Sequence, residues 1–166
     1  PSDKEDVKEE NQTQVAASKA ITILIDKDNT IYYFKGKPNG GTDVVDEGKL
    51  FETTYGKNGL RKVLLESNPE AVKAVNKLKA EFATKKTSNV QDEIKVKAEY
   101  KERLSKIKNA EYTPSVIIKA TDEATYDNLI QVLDEMQICS IGRYVIDKFA
   151  DGDKQKIDAY KNGSAQ

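Results

Sequence analysis

The side chains that could do chemistry are few and scattered. Asp26, Asp28 and Asn29 carry the oxygen ligands that calcium prefers. The glycine and closing glutamate of a calcium loop do not follow at the required spacing, so residues 26–29 read as a hairpin turn. The run Gly36, Lys37, Pro38, Asn39, Gly40, Gly41 has the glycines of a phosphate loop but not its Gly-Lys-Ser/Thr ending, and no helix follows directly. Asp122 and Glu123 pair an acid with a base, yet Asp122 falls where a helix needs a cap. Cys139 follows a helical apolar stripe and reads as a small buried hydrophobe, and Asp134 lies on the polar side of the same helix.

Absences narrow the chemistry further. The chain has no His, which removes imidazole bases, Ser-His-Asp and Cys-His nucleophiles and imidazole metal sites. One Cys makes neither an internal disulfide nor a Cys-rich zinc site. No catalytic residue, metal site or cofactor is expected. An enzyme built on carboxylates or lysine is the alternative of another class, and it needs a clustering that a linear sequence does not display.

Composition bounds the partners. With 166 residues, 37% of them hydrophobic and 33% charged, the chain suits one domain with appendages. Its apolar runs are far shorter than the roughly 18 residues of a membrane span. A net charge of -1 gives no electrostatic reason to expect nucleic acid. The chain starts at Pro1 with no signal-type stretch, so it is expected to be a fragment or processed form.

The elements that would position these residues can be read in order. Residues 1–17 hold five acidic and two basic side chains and read as a flexible linker with little to bury. Residues 20–25 and 30–34 are β-type runs joined by the turn. The glycine-rich stretch 35–57 reads as a long loop, after which Asn58 is placed to cap a helix carrying Leu60, Val63 and Leu64. Asn68-Pro69 interrupts that helix. Residues 69–110 then read as a helical insertion, a hairpin turning at Thr87, Ser88 and Asn89. Within it, residues 70–108 carry eleven Lys/Arg against six Asp/Glu. The same block lacks the aromatics interleaved with charge that mark a nucleic-acid binder, and reads as a solvated insertion or, more sharply, a docking surface for an acidic partner or anionic lipid. Residues 114–120 form an interior strand, Thr121-Asp122 a cap, and Tyr126, Leu129, Leu133 and Met136 the stripe of a helix ending near Ile138. Residues 143–146 form a last strand, and 150–166 read as a flexible tail. The predicted class is a two-layer α+β domain spanning 18–149, a small mixed sheet in the order β-β-α-β-α-β with the helices on one face.

Several of these segments, taken in order, resemble the periplasmic domain of the ExbD/TolR family of biopolymer transport proteins. The first hairpin, Ala20 to Tyr33, is similar. So are the strand Pro114 to Ala120 ending in Ile118-Lys119-x-x-Asp122, the helix Tyr126 to Met136, and the approach Phe51 to Leu65 into the first helix. The resemblance covers most of residues 15–150. It departs at 69–110, where many members have a short connection.

The resemblance implies an inner-membrane subunit of a Gram-negative bacterium with this part in the periplasm. It would be membrane-anchored in full-length form, likewise a homodimer, and driven by proton-motive force. Its partners would be an ExbB/TolQ-like channel protein and a TonB/TolA-like transducer, with no nucleic acid. A TolR-like role in envelope integrity with peptidoglycan contact is the alternative within the family. The family's proton-carrying carboxylate belongs to a transmembrane helix, so no catalytic residue transfers to this chain. For partner contact, edge strands with unpaired backbone groups are the expected sites: Ile21, Ile23 and Ile25 on one strand, Tyr144 and Ile146 on another. The insertion 69–110 is expected to be dispensable for folding.

Overall fold

A computed structural model of the chain describes residues 20–36 and 49–164; the linker 1–17 and residues 37–41 of the glycine-rich run lie outside the described residues. Strand β1 (Ala20–Ile25) turns into antiparallel β2 (Ile31–Lys35) through residues 26–29. Asp28 and Asn29 there take positive φ of 58° and 56°, the left-handed region that short polar side chains tolerate, and the Asp26 N–H closes the turn on the Thr30 carbonyl at 2.9 Å. A third strand, β3 (Phe51–Thr53), lies antiparallel to β2 inside what the sequence presents as a loop. It has three residues beside a glycine-rich stretch, too short for alternation to register, and is held by Phe51 stacked on Tyr33 with centroids 5.3 Å apart.

Strand β4 (Ser115–Ala120) runs parallel to β1, and β5 (Tyr144–Ile146) parallel to β4, giving a five-stranded mixed sheet in the order β3-β2-β1-β4-β5. The fold is α+β. Helices α1 (Leu60–Glu66) and α4 (Tyr126–Ile138) cover one face, packing Leu60, Leu64, Val132 and Met136 on Ile21, Ile23, Ile25, Val116 and Ile118. The opposite face is not open. Leu24, Tyr32, Phe34 and Leu50 meet Ile157 and Tyr160 of α5 (Asp151–Ser164), the segment expected to be a flexible tail. Its mostly polar sequence hides the few contacts that hold it: buried Ile157, Tyr160 edge-on to Tyr32 at 5.6 Å, and buried Asp153 paired with Lys119.

Two helix starts differ from the sequence reading. Leu60 opens α1 behind Gly59 rather than Asn58, because the chain crosses so close to Thr54 that a Cβ at residue 59 would lie 2.0 Å from its carbonyl oxygen. In α4 the cap is Thr125, in a reciprocal box with Asn128 at 3.1 Å each way, not Thr121-Asp122. Thr121 instead donates its hydroxyl to Asp26 at 3.1 Å.

The hairpin expected as an insertion is α2 (Pro69–Ala83) and α3 (Val90–Lys108), with Asn89 capping α3 through the Asp92 N–H. Phe82 meets Tyr100 edge-on at 5.3 Å, Arg103 pairs with Glu81, and Lys85 with Glu99 at 3.5 Å. Ala71, Val75 and Leu78 of α2 are buried, and the base is tied to the domain by Asn68, which donates to the Cys139 carbonyl at 3.0 Å, and by the Lys108 carbonyl, which accepts from Gly142.

Candidate partner-binding edge

The last strand sits where it does because the end of α4 is locked. Cys139 and Ile141 are buried, the Ile141 N–H returns to the Met136 carbonyl at 2.9 Å, and Ser140 takes the positive φ that such a helix exit requires. Gly142 then passes against the end of α3, donating to Lys108 at 2.9 Å in a space where a Cβ would meet the Asn109 side chain at 2.8 Å. Arg143 adds a bond from Nη1 to the Ala110 carbonyl at 3.2 Å. These contacts deliver Tyr144 opposite Val116.

Alternate residues of a parallel strand turn both their backbone groups to the same neighbour. The Arg143 carbonyl accepts from Val116 at 2.9 Å and the Asp147 N–H donates to Ile118 at 2.8 Å, so Val145 between them also faces β4. Tyr144 and Ile146 therefore point their N–H and C=O groups away from the sheet, and no described residue pairs with β5 on that side. Val145 and Ile146 are 58% and 56% exposed, while the Tyr144 ring leans on the core. The edge is thus both unpaired and apolar.

The other expected edge is not one. Ile21, Ile23 and Ile25 lie on the central strand, hydrogen-bonded to β2 on one side and β4 on the other, with each side chain at most 2% exposed. The crossover that brings β4 parallel to β1 fills the position a hairpin alone would leave open.

The scattered carboxylates do not converge. Asp26 takes the Thr121 hydroxyl, the Asn29 side-chain oxygen accepts from Asn128 at 2.9 Å, and Glu123 pairs with Lys27 at 3.5 Å. Asp134 is exposed. A cleft of about 470 Å³ opens beyond the carboxyl ends of β1 and β4, lined by Asp26, Asp122 and Glu123 on one side and Lys154, Ile157 and Asp158 of α5 on the other. Among the described residues, no group of three or more His, Cys, Asp or Glu is placed to hold a metal ion. Burial pushes the Cys139 thiol up to about 12, with nearby Glu135 adding to the effect, so it is no nucleophile at neutral pH. The strong ionic contacts are structural. Arg61 holds Glu135 through two bonds of 2.9 Å and ties α1 to α4, and Lys119 meets Asp153 at 2.7 Å between the sheet and α5. Neither pair stands out in the sequence, because their members lie 74 and 34 residues apart.

Residues 4–149 match the family model described as biopolymer transport protein ExbD/TolR. The chain belongs to the ExbD/TolR family. No curated protein and no solved structure shows significant similarity to it. Membership makes the chain an energy-coupling subunit of biopolymer transport, in a family that is envelope-associated, works with ExbB/TolQ-type partners in general and is not enzymatic. Among the described residues, no helix is long and apolar enough to cross a membrane. The family match ends before α5, so the helix closing the second face of the sheet lies outside the shared unit.

Proposed function

We propose that the chain is the periplasmic coupling domain of an ExbD-like subunit, joining an ExbB-type channel in the inner membrane to a TonB-type transducer, and that β5 receives an extended segment of that transducer. Proton-motive force is harvested in a membrane-spanning part of the full-length subunit. The domain transmits it by holding a partner strand, without catalysis. The observation that carries this reading is the edge itself: Tyr144 and Ile146 offer unpaired donors and acceptors beside exposed Val145 and Ile146. Main-chain bonds to such an edge supply affinity, and the exposed side chains supply selectivity. A second copy of the chain competes for the same groups, which links dimerisation to transducer binding.

The test is a proline placed by orientation. Ile146→Pro removes an N–H that β4 does not use, so the domain stays folded by circular dichroism while capture of the periplasmic part of a TonB-type protein falls at least tenfold. Ile23→Pro unfolds the chain instead, because both neighbours of β1 need its backbone. Undiminished capture by folded Ile146→Pro contradicts the proposal.

A further inference from the structure

The α2–α3 hairpin carries charge that its own packing leaves uncompensated. Four of its six acids pair internally: Glu81 and Glu99 with Arg103 and Lys85, Glu93 with Lys97, Glu102 with Lys106. Asp92 is taken by Ser88 at 3.0 Å. Lys73, Lys77, Lys79, Lys86, Lys95 and Lys101 have no ion-pair partner among the described residues.

The apolar side chains are arranged unevenly as well. Phe82 and Tyr100 face each other inside the hairpin, and α3 has no fully buried residue. At the tip, Val90 and Ile94 are 69% and 57% exposed, among the most exposed large aliphatics in the described residues. At 100° per residue, Val90, Ile94, Lys97, Ala98 and Lys101 share one stripe with no acid in it, and Lys86 and Lys95 flank the tip.

We infer that the tip of the α2–α3 hairpin docks on an anionic phospholipid surface, with Val90 and Ile94 entering the headgroup boundary and Lys86, Lys95 and Lys101 pairing with phosphates. Charge complementarity sets the sign of the partner. The exposed aliphatics inside the basic stripe set its kind, because a soluble polyanion gains nothing from them while a lipid interface does. Nucleic acid fits worse, since the aromatics that would stack on bases are turned inward. The hairpin is stiff enough to present the tip, being capped at Asn89 and cross-linked by its ion pairs.

Flotation of the 166-residue chain with phosphatidylglycerol/phosphatidylethanolamine vesicles tests this, with phosphatidylcholine vesicles as control. Binding is expected to anionic vesicles alone, weakening with salt. Lys95→Glu with Lys101→Glu lowers apparent affinity on the order of tenfold or more. Val90→Ser with Ile94→Ser lowers it several-fold at unchanged charge. The chain has no Trp, so Ile94→Trp gives a single tryptophan, excited apart from the tyrosines at long wavelength, whose emission shifts to the blue on anionic vesicles. No flotation at low salt overturns the inference, as do charge-reversed variants that bind undiminished. Binding indifferent to Val90 and Ile94 and matched by soluble polyglutamate also overturns it, assigning the surface to an acidic polymer.

Discussion

Lys119 and Asp153 are a buried ion pair whose members are 2% and 1% exposed. Asp153 Oδ2 also accepts the Ala150 N–H at 2.9 Å, so one carboxylate neutralises the sheet lysine and starts α5. Asp153→Ala leaves a buried, uncompensated ammonium and is expected to cost about 3–5 kcal/mol in urea unfolding. The double variant Lys119→Met with Asp153→Leu should recover most of that loss. A single variant as stable as the double contradicts the assignment of α5 to this face. Cys139 gives a second test through pH. Its thiol titrates near 9 when unfolded and is pushed to about 12 when folded, so the unfolded chain releases the proton first. Stability from this group is whole below pH 9 and falls as pH rises toward 12. Urea unfolding at pH 8, 9 and 10 should show that decline, and Cys139→Ala should flatten it. Equal slopes contradict the burial reading.

At the scale of elements, what the sequence made legible follows from local physics. The Asp-Lys-Asp-Asn turn and the proline break at residue 69 each depend on neighbouring residues, and each stands where expected. The stripe of α4 is rotated from the expected one: Asn128, Val132, Glu135 and Met136 are buried, Leu129 and Leu133 are only partly covered, and Tyr126 is exposed. Strand order does not depend on neighbours in sequence. A run such as Ile21 to Ile25 reads the same at an edge or in the middle, and only the parallel pairing with β4 decides. Helix α5 escaped for a related reason: its stability comes from Ile157, Tyr160 and the Asp153 pair meeting a distant sheet, not from its own periodicity. The hairpin shows the same limit. Its base is woven into the domain through Asn68, Lys108 and Ala110, while the ion pairs and ring contact of its outer part lie within the hairpin. Removing residues 80–102 with a short Gly/Ser bridge should preserve a cooperative thermal transition within a few degrees of the intact chain. Removing 69–109 should lower it far more, since Gly142 loses its acceptor and β5 its anchor. Equal transitions for the two deletions contradict this division.

For the molecule as a whole, a mixed sheet with α1 and α4 on one face carries two further parts: the basic hairpin, which lies within the family match, and the terminal helix beyond it that closes the second face. The covered faces leave β5 as an open backbone edge, in keeping with a coupling role in which a partner strand completes the sheet. Hydrogen exchange over residues 143–147 reads that role at single-amide level. In the free domain the Val145 and Asp147 amides should be protected by β4, and those of Tyr144 and Ile146 should exchange rapidly. On adding the periplasmic part of a TonB-type transducer, Tyr144 and Ile146 should become protected while the other two change little. Unchanged exchange at Tyr144 and Ile146 under saturating partner, or protection arising only elsewhere on the domain, would refute strand addition at this edge.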